Sequence, residues 1–121
     1  MVKIHIKKCY PYKKYKLKHS LDLSDNQISD ISSLENLINL EKLELSDNEI
    51  KDISPLQNLK NLKELNLKCD EFTDISPLAN LVNLEYLGLE CGYCSPKEEI
   101  EKLQKALPNC RIGVSFHYSD Y

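Results

Sequence analysis

The chain has 121 residues, of which 41% are hydrophobic and 29% are charged, a size and balance that suit one globular domain with a modest core. Its apolar runs are only two or three residues long, so no stretch is long enough to span a bilayer. The net charge of −3 hides an asymmetry, because residues 1–20 contain seven lysines and no acidic residue. The other nine basic residues and all 19 acidic residues give residues 21–121 a balance of −10.

The first 20 residues predict a basic arm with strand character. Val2, Ile4 and Ile6 alternate with polar residues, and a second short apolar run follows at Tyr15 and Leu17, a pattern that favours a hairpin or an extra strand. The lysines raise nucleic acid or a membrane surface as a partner, but the arm lacks arginine and any glycine-rich pattern, which favours a cap attracted to the acidic body. The start "MVKIHIKK" lacks the apolar block of a secretory signal, and this predicts a cytoplasmic protein.

From Leu21 onward the chain repeats itself with a period of 22 residues. The stretches "LDLSDNQISDISSL", "LELSDNEIKDISPL" and "LNLKCDEFTDISPL" begin at Leu21, Leu43 and Leu65, and a fourth unit begins at Leu87. Apolar residues recur in the frame L-x-L-x-x-N-x-I-x-x-I-x-x-L-x-x-L-x-x-L. Such self-similarity is the signature of a solenoid, in which stacked units together bury the side chains that one unit cannot bury alone.

Each unit predicts a short strand followed by a helical turn. The leading L-x-L alternates with period two, so both leucines point inward and the residue between them faces solvent. The spacing of three further along is typical of helical turns on the opposite side. The stretches "SSLE" at 32–35 and "SPLQ" at 54–57 fit a capping box with serine as the N-cap. Pro55 and Pro77 are predicted at the first helical position.

Two polar positions of the repeat are predicted to satisfy backbone groups. Asn26 and Asn48 stand where the chain leaves the strand, and a side-chain amide can bridge successive turns because it both donates and accepts. Asp30, Asp52 and Asp74 lie just ahead of the helical turns and are predicted to bind nearby backbone N–H groups. A metal site made of these three stacked carboxylates is the alternative.

The repeat ends after residue 94. Residues 95–108, "SPKEEIEKLQKALP", predict an amphipathic helix with Ser95 as the N-cap and Pro108 after the last turn. Its apolar stripe consists of Ile100, Leu103, Ala106 and Leu107. The following "CRIGVSF" predicts a strand that places Ile112 and Val114 as the final inward pair.

These units resemble the 22-residue leucine-rich repeats of bacterial internalins and of a phosphatase regulatory subunit, and "IEKLQKALPNCRI" resembles the C-terminal caps of that superfamily. The resemblance implies an α/β solenoid with a parallel sheet on the concave face and short helical turns on the convex face. One domain, 1–121, then consists of a basic N-terminal β cap (1–20), repeats (21–94) and a C-terminal helix–strand cap (95–121). The family serves as a scaffold that binds protein partners.

Catalytic patterns find little support in this sequence. The three histidines, His5, His19 and His117, lie outside the array of repeats, and no serine or cysteine has a histidine partner in register. No glycine-rich phosphate loop is present either. We therefore expect no enzymatic activity and no cofactor.

The five cysteines predict reduced thiols, because their number is odd and a reducing compartment is expected. Cys91 and Cys94 form a CxxC pair, but a repeat solenoid is not the strand–helix setting that a redox motif requires. Cys69 and Cys91 share one position on neighbouring strands, which lie about 4.8 Å apart. A disulfide or a shared metal between them is sterically possible, and free thiols are favoured.

The concave face is where the family usually binds, and its solvent-facing residues follow from the frame. The predicted partner-binding residues are Lys42, Glu44, Glu64, Asn66, Lys68, Tyr86, Gly88, Glu90 and Tyr93. Tyr86 and Tyr93 fall on the C-terminal half of the face, and Gly88 is expected to leave a hollow between them. A tyrosine beside a hollow is typical of interface anchors. Replacing Asn66 or Gly88 is expected to leave folding nearly intact.

Three functions remain open at this stage. The favoured one is a cytoplasmic binding module, monomeric when free, that holds one protein partner on its concave face, for example as a small inhibitor or a toxin-neutralising immunity protein. The second is nucleic-acid binding through the lysine-rich arm. The third is a structural or engineered scaffold. The near-identity of "LSDNQISDIS" and "LSDNEIKDIS" would fit design, whereas five cysteines and an irregular N-terminus do not.

Overall fold

The computed structural model describes residues 19–69, 74–91 and 97–116, with the backbone alone for Cys69, Cys91 and Phe116. The strands are β1 (Ser20–Asp22), β2 (Lys42–Leu45), β3 (Glu64–Cys69), β4 (Tyr86–Cys91) and β5 (Arg111–Phe116). Short 3-10 turns cover Ser32–Leu34, Ser54–Leu56 and Ser76–Asn80, and one α-helix, α1, covers Lys97–Ala106. The predicted N-terminal β cap lies outside the described residues apart from its last two positions.

The five strands form one parallel sheet in the order β1-β2-β3-β4-β5. Leu21 pairs with Leu43, Leu43 with Leu65, and Leu65 with Leu87, so each strand advances by one 22-residue unit. Leu87 then pairs with Ile112, a longer step because α1 lies within it. The sheet and the 3-10 turns confirm the predicted solenoid, in which each strand has its sequence neighbours as its spatial neighbours.

One continuous core runs along the inside of the coil. The inward leucines of the strands, such as Leu43 and Leu65, and the leucines that follow the turns, such as Leu59, are fully buried. Leu37 departs from this pattern, since it occupies the same position of its repeat as Leu59 and is 40% exposed. The neighbouring Ile38 is 55% exposed. The convex side of the first repeat is therefore covered more loosely at this position than that of the second repeat.

The capping-box prediction was wrong. Ser32 is the first residue of its turn, Ile31 holds the N-cap position with φ −112° and ψ 21°, and no side chain caps the turn. In the second turn, Ser54 is accordingly the first residue and Pro55 the second, so this proline does not hold the predicted first position. The reason is that Asp30 Oδ1 accepts the Ser32 N–H at 2.9 Å, which is the donor that the Glu35 side chain would take in a capping box. The Glu35 N–H, which the serine hydroxyl would have accepted, donates to the Ser32 carbonyl.

The same arrangement recurs in each unit, as predicted for the aspartates. Asp52 Oδ1 accepts the Ser54 N–H and Asp74 Oδ1 accepts the Ser76 N–H, both at 3.0 Å. Hydrogen bonds from the hydroxyl and the backbone N–H of Ser54 hold the pKa of Asp52 below its ordinary value of 3.8. Ser32 and Ser76 lower the pKa values of Asp30 and Asp74 in the same way. No cluster able to hold a metal ion occurs among the residues the structure describes.

We expect acid to weaken the fold through these aspartates. Because the pKa of Asp52 is lower in the folded than in the unfolded chain, its stabilising effect is present above pH 3.8 and is lost as the pH falls through the lowered folded value. In urea titrations, Asp52→Asn should unfold at a lower midpoint than the wild type near neutral pH, and this gap should shrink as the pH falls below 3.8. Glu101→Gln, on the exposed side of α1, should show no such gap. A gap for Asp52→Asn that is equal at both pH values would contradict this assignment.

Two asparagine ladders connect successive coils. Asn48 is 1% exposed; its Nδ2 donates to the carbonyl of Leu23 at 2.8 Å, and its Oδ1 accepts the backbone N–H groups of Asn26 and Ile28. This confirms the predicted bridging role for Asn48. The described bonds of the Asn26 amide go to carbonyls of its own turn; the coil before it lies outside the described residues, so a bridge from Asn26 to that coil stays a prediction. The second ladder was not predicted. Its members are Asn61, which donates to the carbonyl of Ile38, and Asn83, which donates to the carbonyl of Lys60.

The C-terminal elements follow the predicted order. On α1, Leu103 is buried, as is Leu107 just after it, but Ala106 is exposed and does not belong to the apolar stripe. The helix packs against the turn at Ser76–Asn80. Gln104 Nε2 donates to the carbonyl of Leu107 and to the carbonyl of Cys110, the residue just before β5. These two hydrogen bonds hold the turn that leads into β5. The predicted N-cap, at residue 95, lies outside the described residues.

Candidate binding face of the sheet

Outward side chains of the five strands form three rows across the concave face. The first row is Ser20, Lys42, Glu64, Tyr86 and Arg111. The second row is Asp22, Glu44, Asn66, Gly88 and Gly113. The third row is Lys68, Glu90 and Ser115. The structure therefore brings together eight of the nine predicted partner-binding residues, and the ninth, Tyr93, lies outside the described residues.

Sequence reasoning missed the contribution of β5. Arg111, Gly113 and Ser115 extend the three rows by one strand. The alternation in "RIGVSF" that predicts Ile112 and Val114 as inward residues also turns these three outward. Ile112 and Val114 are only partly buried against the core, because no further described strand covers them.

The first row contains two side-chain pairs. Lys42 Nζ lies 3.7 Å from Glu64 Oε1, and both side chains are about half exposed, so this ion pair adds little stability. The Arg111 guanidinium lies 5.4 Å from the centre of the Tyr86 ring, a cation–π arrangement that restrains both side chains. Tyr86 is therefore held in place on the sheet.

In the second row, carboxylates and amides are tied to their neighbours. Asp22 Oδ1 accepts from the Ser24 N–H and hydroxyl. Glu44 Oε1 accepts from the Ser46 hydroxyl at 3.0 Å, and Glu44 Oε2 accepts from Asn66 Nδ2 at 2.8 Å. Since a carboxylate at neutral pH can only accept, this contact fixes which end of the Asn66 amide faces Glu44.

Gly88 and Gly113 lie side by side and form the floor of a depression. A Cβ atom on Gly88 would collide with Asn66 Oδ1 and lie 3.1 Å from the Tyr86 hydroxyl, and one on Gly113 would lie 3.0 Å from the same hydroxyl. Asn66 and Tyr86 thus lean over the two glycines. Any side chain at Gly88 would therefore have to shift the Asn66 side chain, and the expectation that folding stays nearly intact on its replacement stays a prediction.

Space remains beside these side chains. The depression has a volume of about 310 Å³, and its polar lining comes from Ser46, Asn66, Tyr86, Glu90 and Ser115. It is large enough for one side chain of a partner. The predicted hollow at Gly88 is thus present, but its described wall is formed by Asn66, Glu90 and Ser115 and not by a second tyrosine.

A second depression of about 520 Å³ lies at the edge of the face, where the chain leaves β1 and β2. Asp25, Asp47, Glu49 and Lys68 contribute its charged lining. Asp25 and Asp47 both adopt φ 59°, a left-handed conformation that aspartate tolerates better than most residues. Carboxylates thus outnumber the single lysine at this edge.

Of the cysteine predictions, the structure addresses one thiol. Cys110 is free and buried, and burial raises the pKa of its thiol, which keeps it protonated and unreactive near neutral pH. The backbones of Cys69 and Cys91 are paired in register, as predicted. Their side chains, and Cys94, lie outside what is described, so a disulfide or a metal there stays a prediction.

The chain is similar to leucine-rich-repeat sequences. The model for "Leucine Rich repeats (2 copies)" matches residues 19–58 and 38–80, which together span just over half of the chain. A comparison with curated proteins finds no match. The chain therefore belongs to the leucine-rich-repeat family, whose members generally act as protein–protein interaction modules and typically lack enzymatic activity.

Solved structures of bacterial leucine-rich-repeat proteins share the fold. Internalin C2 of Listeria monocytogenes str. 4b F2365 is 30% identical with a TM-score of 0.59, and the match covers 84% of this chain and 44% of that one. The internalin inlF of the same strain is 28% identical with a TM-score of 0.61, over 84% and 30% of the two chains. A leucine-rich-repeat protein of Leptospira interrogans is 33% identical with a TM-score of 0.62, over 78% and 24%. The chain thus spans less than half the length of each.

Across the described ranges, no helix combines the length and the apolar character that a membrane-spanning helix needs.

Proposed function

We propose that this chain binds a protein partner through the C-terminal half of its concave face, in the cytoplasm. The observation that carries the proposal is the depression over Gly88 and Gly113, which lies on a parallel sheet and is walled by Tyr86 and Asn66. A tyrosine beside a pocket of side-chain size is the kind of feature that supplies most of the binding energy in an interface.

The rigidity of this half of the face supports the proposal. Tyr86 is restrained by the Arg111 guanidinium, and Asn66 is restrained by its hydrogen bond to Glu44. The strands beneath them are paired over six residues each from β3 to β5. Side chains that are already ordered lose less entropy when a partner docks, so more of the contact energy appears as affinity.

An inhibitor is the particular form of binding module that we propose, as in the neutralisation of a toxin. A rigid curved face that covers its partner can block access to an active site without any chemistry of its own. The test is to isolate the partner and measure its enzymatic activity with and without an equimolar amount of this chain. If the partner keeps its activity in the complex, this chain binds the partner but does not inhibit it. The nucleic-acid alternative rests on lysines that lie outside the described residues, and it stays a prediction.

We expect Tyr86→Ala to weaken partner binding by about 2 kcal/mol, or about thirtyfold, because truncation removes an interface anchor. Gly88→Arg should weaken it at least as much, since the new side chain fills the depression. The partner is first captured from source-cell extract on the immobilised wild-type chain and identified by mass spectrometry. Each purified variant is then titrated against it by calorimetry, beside a thermal melt.

Val82→Ala is the matched control, because Val82 is 70% exposed and follows the Ser76–Asn80 turn on the opposite side of the coil. It should bind like the wild type. If Tyr86→Ala and Gly88→Arg both retain full affinity, the interface lies elsewhere and the proposal fails. If a variant loses both its affinity and its cooperative thermal unfolding, it reports on folding and not on binding. In that case Glu64→Ala and Lys68→Ala, on the same face, test whether this face binds the partner.

A further inference from the structure

The outer edge of β5 is one end of the described sheet. We propose that two copies of this chain associate through this edge, with their β5 strands antiparallel and Gly113 of one copy opposite Gly113 of the other. The proposal concerns the edge of the sheet and is independent of the partner proposed for its face. Three observations carry it: the direction of the β5 backbone groups, the incomplete cover of its inward side chains, and the lack of charge along most of this strand.

The hydrogen-bonding groups of β5 point alternately to β4 and away from it. The Arg111 N–H donates to the Glu85 carbonyl at 2.9 Å, so the backbone of Arg111 faces β4. In a parallel ladder every second residue turns both its N–H and its C=O to the same neighbouring strand. Ile112 and Val114 therefore turn theirs to the outer side, where no described strand lies. An edge of this kind is a template for a further strand.

The inward side chains of β5 lack the cover found at the other end of the sheet. Leu21 and Leu23 are 3% and 0% exposed, although β1 is also a terminal strand of the described sheet. Ile112 and Val114 hold the corresponding inward positions of β5 and are only partly buried. A strand placed against β5 would remove this apolar surface from water, which favours association.

β5 also lacks the features that usually keep an edge strand from pairing. Such strands commonly carry lysine, an inward-pointing charge, proline or a bulge. Residues 112–116, "IGVSF", contain no charged residue and no proline, and β5 pairs with β4 over six consecutive residues without a bulge. The charged residue of the strand, Arg111, stands at its first position. The rest of this edge is thus suited to contact another strand.

A second copy of the chain is the occupant that this pattern fits. A two-fold axis at Gly113 makes an isologous contact, the commonest arrangement of protein dimers. Ile112 of each copy then pairs with Val114 of the other, so apolar residues meet. Arg111 faces Ser115 of the other copy and not a second arginine. Gly113 falls in a pair without hydrogen bonds, where Cα atoms approach to about 4.5 Å, and glycine has no side chain to obstruct this approach.

The charges near the edge allow two copies to meet there. The helix α1, which leads into β5, contains three lysines and three glutamates, so its charges balance. The carboxylates of Asp25, Asp47 and Glu49 lie where the chain leaves β1 and β2, and contact through β5 keeps them apart. The two five-stranded sheets would join into one, and the depressions over Gly113 would lie on either side of the axis.

Sedimentation equilibrium of the whole chain measures this association directly, with a reducing agent present so that no disulfide links the copies. A single strand pair is small beside a standard interface of about 1,600 Å², so we expect a dissociation constant between about 10 μM and 1 mM. The mass should be near 14.0 kDa in dilute solution, in line with the free monomer expected from the sequence, and should rise towards twice that value on concentration. A mass that stays at 14.0 kDa up to about 1 mM would overturn the proposal.

Two variants of Ser115 test the alignment of the two strands. Ser115 is exposed, and the axis places it opposite Arg111 of the other copy twice in each dimer. Ser115→Lys should weaken dimerisation about fivefold and Ser115→Glu should strengthen it by a similar factor, because opposed like charges repel across strands and opposite charges attract. Glu90 is the neighbour of Ser115 within each copy, so a melting curve of each variant records changes in folding separately.

Gln57→Lys and Gln57→Glu are the matched controls, because Gln57 is exposed and follows the Ser54–Leu56 turn on the convex side. They change the net charge by the same amounts and should leave the dissociation constant unchanged. If they reproduce the effects of the Ser115 variants, those effects come from net charge and the proposed alignment is refuted.

NMR of the wild-type chain decides without any substitution. In a mixture of isotope-labelled and unlabelled chains, filtered spectra should show a contact between the Gly113 Hα atoms of two copies. A second contact should join Arg111 of one copy to Ser115 of the other, because facing residues without mutual hydrogen bonds come closest across an antiparallel pair. A dimer whose filtered contacts lie on another surface, or join two parallel β5 strands, would contradict the proposal.

Discussion

Replacing Leu59 with alanine is expected to lower the free energy of unfolding by about 2–5 kcal/mol, because the change leaves a cavity in a core that cannot fully collapse around it. Leu59 is fully buried. Leu37 provides a matched control, since it occupies the same position of the preceding repeat and is 40% exposed. Leu37→Ala should cost about 1 kcal/mol or less, because less surface returns to water.

Urea unfolding of the two variants beside the wild type, followed by far-ultraviolet circular dichroism, measures the difference. The chain is expected to unfold as one unit, so the midpoints can be compared directly when the slopes agree. Equal losses for Leu59→Ala and Leu37→Ala would mean that the convex side of the first repeat is covered as tightly as the second.

The second large effect is expected at Asn48. Asn48→Ala should destabilise the fold by about 3 kcal/mol, because it leaves the N–H groups of Asn26 and Ile28 without their acceptor, and each buried unsatisfied group costs about 1–3 kcal/mol. Asn26→Ala should cost about 1 kcal/mol, since within the described part of the chain the Asn26 amide donates to carbonyls of its own turn and one hydrogen-bonding side chain of this kind contributes about that much.

Asn48→Asp separates the two halves of the Asn48 contact. An aspartate keeps the acceptor for the two backbone N–H groups and loses the donor for the Leu23 carbonyl. Its buried charge should also raise the cost of folding as the pH increases, because burial disfavours the ionised form. A loss for Asn26→Ala as large as that for Asn48→Ala would show that the two asparagines act alike, contrary to the bonds described.

Most of the fold follows from the sequence because the repeat constrains it several times over. The register that pairs Leu43 with Leu65 is set by the 22-residue period, and a slip by one residue would turn the leucines towards solvent. The capping of the turns was harder to predict. Serine and aspartate can both accept a backbone N–H, and the choice between Ser32 and Asp30 depends on a backbone conformation at Ile31 that the apolar pattern does not determine.

The binding face was predictable in outline only. Alternation places Asn66 and Gly88 outward, as the register shows, but it does not say where a side chain leans. The Asn66 side chain occupies the space above Gly88 because it is hydrogen-bonded to Glu44, one strand away. Gly113 also borders this space, but it lies in β5, outside the 22-residue repeats, so the repeat pattern does not predict its position. The neighbours of a side chain across strands come from the assembled sheet and not from the spacing within one unit.

The sequential order of the strands makes the length of the protein adjustable. Each coil presents the same leucine edge to the coil before it and to the coil after it, so an extra 22-residue unit inserted between β1 and β2 would meet compatible neighbours on both sides. Such an insertion would widen the face by one strand spacing, about 4.8 Å, and leave the contacts around Gly88 and Gly113 unchanged. The fold thereby lets the span of the face vary by duplication or deletion of whole units, independently of the chemistry at its C-terminal end.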